Sequence, residues 1–128
     1  MERAAAMRAM VEKYTVTEYP IRSRSEETLS SIQPAVGDVV LVTGGTGGLG
    51  CYVLAELIAG PEVSRVYAIN RGKDKSTLFE RQKKALLQRG LDADALLSSD
   101  KLVLLAADTS SPHLGLADEE YEQVRANF

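Results

Sequence analysis

An apolar run, Val39 to Val42, breaks at Thr43 into Gly44, Gly45, Thr46, Gly47, Gly48, Leu49 and Gly50, and a helical pattern follows at once. A strand that feeds a glycine turn opening a helix is the first unit of an α/β fold built on parallel strands. Glycines at 44, 47 and 50 supply positive φ in a tight turn, close approach of backbone to a pyrophosphate, and close packing of helix on strand. Phosphates would sit at the start of the helix, where unpaired N–H groups and the helix dipole favour negative charge. A P-loop is excluded. Gly45 and Gly50 have the right separation, but Cys51 and Tyr52 stand where a lysine and a hydroxyl residue would hold phosphate and magnesium.

The rest of the pattern alternates as a parallel sheet requires. Strands are expected at Val39 to Thr43, Val66 to Ile69 and Leu102 to Ala106, the last an unbroken apolar run of the kind buried on both faces. The first helix should run from Gly48 to Ala59 and stop at Gly60 and Pro61. A second should start at Ser76 or Thr77 with a Thr77/Glu80 capping box, bury Leu78, Ala85 and Leu86, and end at Gly90. A short last helix is expected over Asp118 to Ala126. The acids Asp118, Glu119, Glu120, Asp92 and Asp94 read as helix-start charges favoured by the dipole.

In a dinucleotide fold, an acidic residue about 20 positions after the glycines binds the ribose 2′-hydroxyl of NAD. Here the tip of the second strand reads Asn70, Arg71, Gly72, Lys73. A carboxylate there would repel a 2′-phosphate, whereas the Arg71 guanidinium binds one through charge-assisted hydrogen bonds and stacks on adenine. NADP(H) is the expected cofactor. Asp108, ending the third strand, lies on the ligand-binding edge and is placed to accept from the adenine amino group; equally, it is a turn residue before Thr109, Ser110 and Ser111.

Composition narrows the partners. A net charge of −3, with basic residues scattered along the chain, gives no footprint for nucleic acid or an anionic membrane. No apolar stretch approaches the roughly 18 residues of a membrane span, and no signal-peptide core follows Met1, so a cytoplasmic setting is expected. The single cysteine, Cys51, reads as a small packing residue of the first helix. The single histidine, His113, beside Pro112, reads as a surface residue, and no ligand cluster suggests a metal.

Before the glycine turn, residues 1–36 are expected to form a helix and a linker. Met7, Met10, Val11 and Tyr14 share one helical stripe suited to docking, and Pro20, Pro34 and the polar run Arg22 to Glu27 carry no period. The nucleotide-binding domain is expected to occupy 37–128.

The Gly-x-x-Gly-x-x-Gly spacing after Thr43 is the form seen in extended short-chain dehydrogenase/reductases. Together with Val66 to Arg71, Glu80 to Gln82, Arg89 to Leu91, Lys101 to Val103, Asp108 and Leu114 to Leu116, it resembles the reductase domain of fungal nonribosomal-peptide-synthetase-like, carboxylic-acid and aminoadipate reductases. The resemblance covers nearly the whole chain, and implies the N-terminal half of a Rossmann-type doubly wound parallel sheet, about three strands with flanking helices. It also implies NADPH-dependent reduction of a thioester, held on the phosphopantetheine arm of a carrier-protein domain, to an aldehyde or alcohol. By the same resemblance Thr43 to Leu49 hold the pyrophosphate, Arg71 and Arg81 the 2′-phosphate, and Asp108 the adenine, with Gly50, Asn70 and Thr109 completing the cofactor set. Gly48 stands where many relatives carry a bulky aromatic.

The family's catalysis uses a Ser/Thr and a Tyr-x-x-x-Lys, in which tyrosine donates a proton and lysine lowers its pKa. Neither Tyr67 nor Tyr121 has a lysine four residues on; each has an arginine, which does not exchange protons as lysine does. The sequence stops where a fourth strand is expected, so the first half of the fold, with one unpaired strand edge, is the expectation. Two other readings stay open: a non-catalytic NADP-binding or interaction module, and an extended epimerase or dehydratase of nucleotide sugars.

Overall fold

The computed structural model describes residues 2–15 and 37–127. The chain divides into two units, Met1–Gln33 and Pro34–Phe128. In the first, helix α1 (Glu2–Tyr14) buries none of its residues; Met7, Met10, Val11 and Tyr14 are each more than 60% exposed, at 62%, 63%, 66% and 67%. The linker expected over residues 15–36 lies, Thr15 apart, outside the described residues.

In the second unit β1 (Asp38–Thr43), α2 (Gly48–Ala59), β2 (Val63–Arg71), α3 (Lys75–Gln88), α4 (Ala93–Leu97), β3 (Leu102–Ala107), a 3₁₀ turn (Pro112–Gly115) and α5 (Asp118–Ala126) follow in order. The three strands form one parallel sheet in the order β1-β2-β3. It is a Rossmann-like α/β fold, as the alternation predicts. Strand side chains alternate between two covered faces. Val66 and Ala68 pack with Val42, Leu104, Leu54 and Ile58 of α2 and Leu78 of α3, while Tyr67 and Ile69 pack with Leu105, Leu116 and Val124 of α5. Tyr67 and Leu54 are fully buried, and each such side chain contributes about 1.5–3 kcal/mol relative to exposure. Cys51 is buried with Ala85, Leu86 and Ala93 where α2, α3 and α4 meet, so it packs as expected.

Two departures from the sequence reading are the largest. β2 spans nine residues rather than four, because its start, Val63 and Arg65, pairs with β1 around a bulge at Ser64, and its end, Asn70 and Arg71, pairs with β3, so the ladders carry polar residues into the strand at both ends. The cap of α3 is Asp74, not Thr77: Asp74 Oδ1 accepts the Thr77 N–H at 2.7 Å and the Ser76 hydroxyl at 3.1 Å. A carboxylate at the positive end of a helix makes the stronger cap, leaving Thr77 in the first turn. Those hydrogen bonds, the Thr77 N–H foremost, hold the Asp74 carboxyl below its ordinary range. At the other end Gly90 takes φ +70°, and the Gly90 and Leu91 N–H groups return to the Leu87 and Leu86 carbonyls, a Schellman closure. Asp92 caps α4 through the Ala95 N–H. At the edge of the sheet away from the glycine turn, Lys101 Nζ donates to the carbonyls of Ile58 and Gly60, 3.2 and 2.8 Å away, closing the C-terminus of α2.

Candidate functional site: the glycine turn and its cleft

The turn between β1 and α2 owes its shape to two glycines. Gly44 adopts φ +73°, the left-handed region that L side chains rarely enter. At Gly50 a Cβ would stand 1.9 Å from the Gly44 carbonyl oxygen, so only glycine lets the first turn of α2 lie on the strand end. Gly47 is the extended N-cap residue of α2; no side chain caps that helix, and its first turn carries no acid. The amides and the positive dipole end of α2 are left to whatever occupies the space in front of them.

That space is a cleft of about 440 Å³ lined by Thr43, Gly44, Thr46, Ile69, Asn70, Arg71, Arg81, Ala107 and Thr109. A second hollow shares Arg71, Arg81, Ala107 and Thr109 and extends over Gly72, Lys73, Thr77, Asp108 and Ser110. The ends of all three strands therefore meet the glycine turn at one edge. Gly47, Gly48, Leu49 and Gly50 form the start of α2 beside the cleft, outside its lining, and Gly45 is buried beneath it.

Asn70 and Arg71 end β2 with opposite fates. Asn70 is buried at 6% exposure and its Nδ2 has no hydrogen-bond partner among the described residues. Arg71 is exposed, and Arg81 of α3 donates through Nη2 to the Arg71 carbonyl, so two guanidinium groups flank one corner. Asp108 fills the turn role its sequence position allows. Oδ1 accepts the Ser110 N–H at 3.0 Å and the Ser110 hydroxyl at 2.5 Å, and Oδ2 accepts the Ser111 hydroxyl at 2.9 Å. These hydrogen bonds, the Ser110 hydroxyl first, hold its carboxyl below the ordinary range, with the Arg71 charge a smaller cause. A carboxylate accepts about four hydrogen bonds, so Oδ2 keeps capacity for one more donor.

The residues present fit a dinucleotide: an uncapped helix N-terminus, a cleft floored by exposed glycine backbone, and two guanidinium groups at its far end. Ile69 and Ala107, which the sequence reading omitted, enter the lining because they end the strands; the rule that ligands bind beyond the carboxyl ends of parallel strands points to them.

Beyond the cleft, His113 is exposed and stacks on Tyr121 with ring centroids 4.2 Å apart. The Tyr67 hydroxyl, inside the sheet, accepts from Asn127 Nδ2 at 3.2 Å. Among the described residues no group of three His, Cys, Asp or Glu side chains gathers to hold a metal, and no helix is long and apolar enough to cross a membrane.

The model of an NAD-binding family described as Male sterility protein matches residues 42–128. The chain belongs to that family. The match begins at the last buried residue of β1 and takes in the whole cleft. The adenylate-forming reductase Nps10 of Heterobasidion annosum is 41% identical over 129 residues, covering 100% of this chain and 11% of that protein. Among solved structures, the terminal R domain from the myxalamid PKS-NRPS biosynthetic pathway superimposes with a TM-score of 0.61 at 29% identity over 73% of this chain and 23% of that one. The PhqB reductase domain from Penicillium fellutanum gives a TM-score of 0.58 at 32% identity, with 73% and 26% covered. The chain thus spans about a tenth of the length of its curated relative and about a quarter of the solved reductase chains.

Proposed function

We propose that this chain is the NADPH-binding portion of a cytoplasmic reductase that takes a carrier-bound acyl thioester to an aldehyde or alcohol. The observation that carries the cofactor choice is Arg71 at the tip of β2, where an NAD-specific fold places a carboxylate, with Arg81 of α3 beside it. Thr43 to Leu49 would hold the pyrophosphate on the amides of the turn and of α2, with Gly50 packing the helix onto the strand, Arg71 and Arg81 the 2′-phosphate, and Asn70, Asp108 and Thr109 the adenosine end. When bound, NADPH supplies a hydride to an acyl carbon. This chain's own groups bind and orient: backbone N–H donors face the phosphates, and the guanidinium groups neutralise the third phosphate.

The thioester substrate and the carrier-protein partner draw their support from the relatives, which are named as an adenylate-forming reductase and as reductase domains of PKS-NRPS origin. In this reading residues 1–36 are the segment leading from a carrier domain, and 37–128 form the cofactor-binding part. Titration calorimetry with NADPH and NADH, on the chain and on Arg71→Ala, tests it. NADPH is expected to bind at least tenfold more tightly than NADH, and Arg71→Ala to weaken NADPH by about ten- to a hundredfold, the effect of losing one or two charge-assisted hydrogen bonds. Equal affinities for the two cofactors would overturn the NADP assignment.

A further inference from the structure

Helix α3 buries a stripe of Leu78, Gln82, Ala85 and Leu86. Three of these are the apolar residues such a stripe calls for; the fourth is a glutamine with 0% exposure. Burying an amide among leucines is unfavourable unless it finds partners, and Gln82 Nε2 donates to the Gly45 carbonyl at 2.8 Å, 37 residues away in sequence. The same carbonyl accepts the Cys51 thiol at 3.3 Å. Two donors, from α2 and α3, thus grip a single peptide of the glycine turn from below.

A trans peptide points its carbonyl and the following N–H in opposite directions. With the Gly45 oxygen drawn inward, the Thr46 N–H is turned outward, and Thr46 lines the cleft. We propose that Gln82 is a positioning residue for the dinucleotide turn, locking the Gly45–Thr46 peptide so that its N–H is presented to a phosphate before any ligand arrives. A second observation supports it. Gln82 Oε1 and Asn70 Nδ2 are both buried without a partner, and both abut Gly45, 3.4 and 3.6 Å from where a Cβ would stand. They are an acceptor and a donor facing one glycine. Their closure onto each other would couple the tip of β2 to the orientation of the Gln82 amide, and so to the turn.

The inference deepens the dinucleotide reading and rests on it for the identity of the ligand, but its structural half stands apart. Amide hydrogen exchange on the free chain therefore comes first. Gln82→Leu, close in volume and without a donor, is expected to raise exchange of the Gly47 N–H, which donates to the Gly44 carbonyl at 3.0 Å across the turn, about tenfold, leave the β2 and β3 amides unchanged, and weaken NADPH about tenfold. Gln82→Met is the alternative should Gln82→Leu fail to fold. In Gln82→Glu a protonated carboxyl still donates to Gly45, so turn protection, corrected for the intrinsic pH dependence of exchange, should survive at low pH and fall as pH rises, while the wild type stays flat. Wild-type protection of the turn in Gln82→Leu or Gln82→Met, or a flat profile in Gln82→Glu, overturns the proposal. Loss of turn protection in a chain that binds neither NADPH nor NADH would support the brace and count against the cofactor reading alone.

Discussion

Two connections flank the same edge of the sheet and solve the same problem by opposite means. The turn from β1 to α2 takes its path from residues without side chains, where geometry leaves no substitute: Gly44 at φ +73° and Gly50 pressed on the Gly44 carbonyl; side chains reach it only from beneath, at the Gly45 carbonyl. The connection from β3 to α5 is built from side chains. Asp108 gathers Ser110 and Ser111, the Asp108 N–H donates to the Leu114 carbonyl, and His113 stacks on Tyr121. There two non-glycine residues, His113 and Leu114, take φ of +53° and +58°, a conformation their neighbours must hold in place. The path of one connection is set by what is missing from it, that of the other by the side chains within it, so the first should fail abruptly on substitution of its glycines and the second by degrees.

The largest effect that could break this contrast is Gly50→Ala. A methyl group 1.9 Å from the Gly44 oxygen must push α2 off the strand, at a cost of about 3 kcal/mol or more; thermal melting should show it, together with loss of dinucleotide binding. A Gly50→Ala chain that melts and binds as the wild type would remove the steric account of the turn. Next comes Gly115→Ala in the other connection, where φ is +64° and a Cβ would meet Asp108 at 3.0 Å. About 1–2 kcal/mol is expected there, measurable by denaturant unfolding, because side chains around it can give way.

Much of the first connection was legible in the sequence and little of the second. Glycines 44, 47 and 50 between an apolar strand and a helix announce the turn, and at 44 and 50 the position demands glycine for a reason of geometry. α2, ended by Gly60 and Pro61, and α5 have the bounds their patterns predict. Asp74 escaped notice as the cap of α3 because Thr77 and Glu80 offered a good capping box one turn later, and only the folded helix shows which donor meets which acceptor. Gln82 escaped for a different reason: on a helical wheel it is one polar residue among many, and its partner Gly45 is brought to it only by the packing of α3 on the sheet. The left-handed pair His113 and Leu114 carries no glycine or asparagine to betray it.

Acid separates the two connections further. The Asp108 carboxyl has a folded-state pKa below its ordinary 3.8, so the stability it lends is fully present above that value and is lost as pH falls through the lower folded one. Protection of the Asp108–Gly115 amides should decline below about pH 4, while the turn of β1 and α2, held by no carboxylate, keeps its protection until the chain unfolds. Asp74 titrates with the same sign at the start of α3, so Asp108→Asn should reduce the acid step in overall stability without abolishing it. An undiminished step in Asp108→Asn would show that the hydroxyl contacts of Asp108 contribute nothing. The smallest change expected is His113→Gly. Relief of a left-handed non-glycine residue, about 1 kcal/mol, is offset by loss of the stacking on Tyr121, about 0.5–1.5 kcal/mol, and the melting temperature should move by no more than a few degrees.

The Lys101 contact with Ile58 and Gly60 gives α2 a remote control. Its front end carries the fixed backbone of the glycine turn, whereas its rear end is moored by one ammonium reaching over from the start of β3. Removing that ammonium would leave the contacts of the glycine turn itself intact and yet free the rear of the helix, so the placement of α2 beside the cleft is set in part from the opposite rim of the sheet.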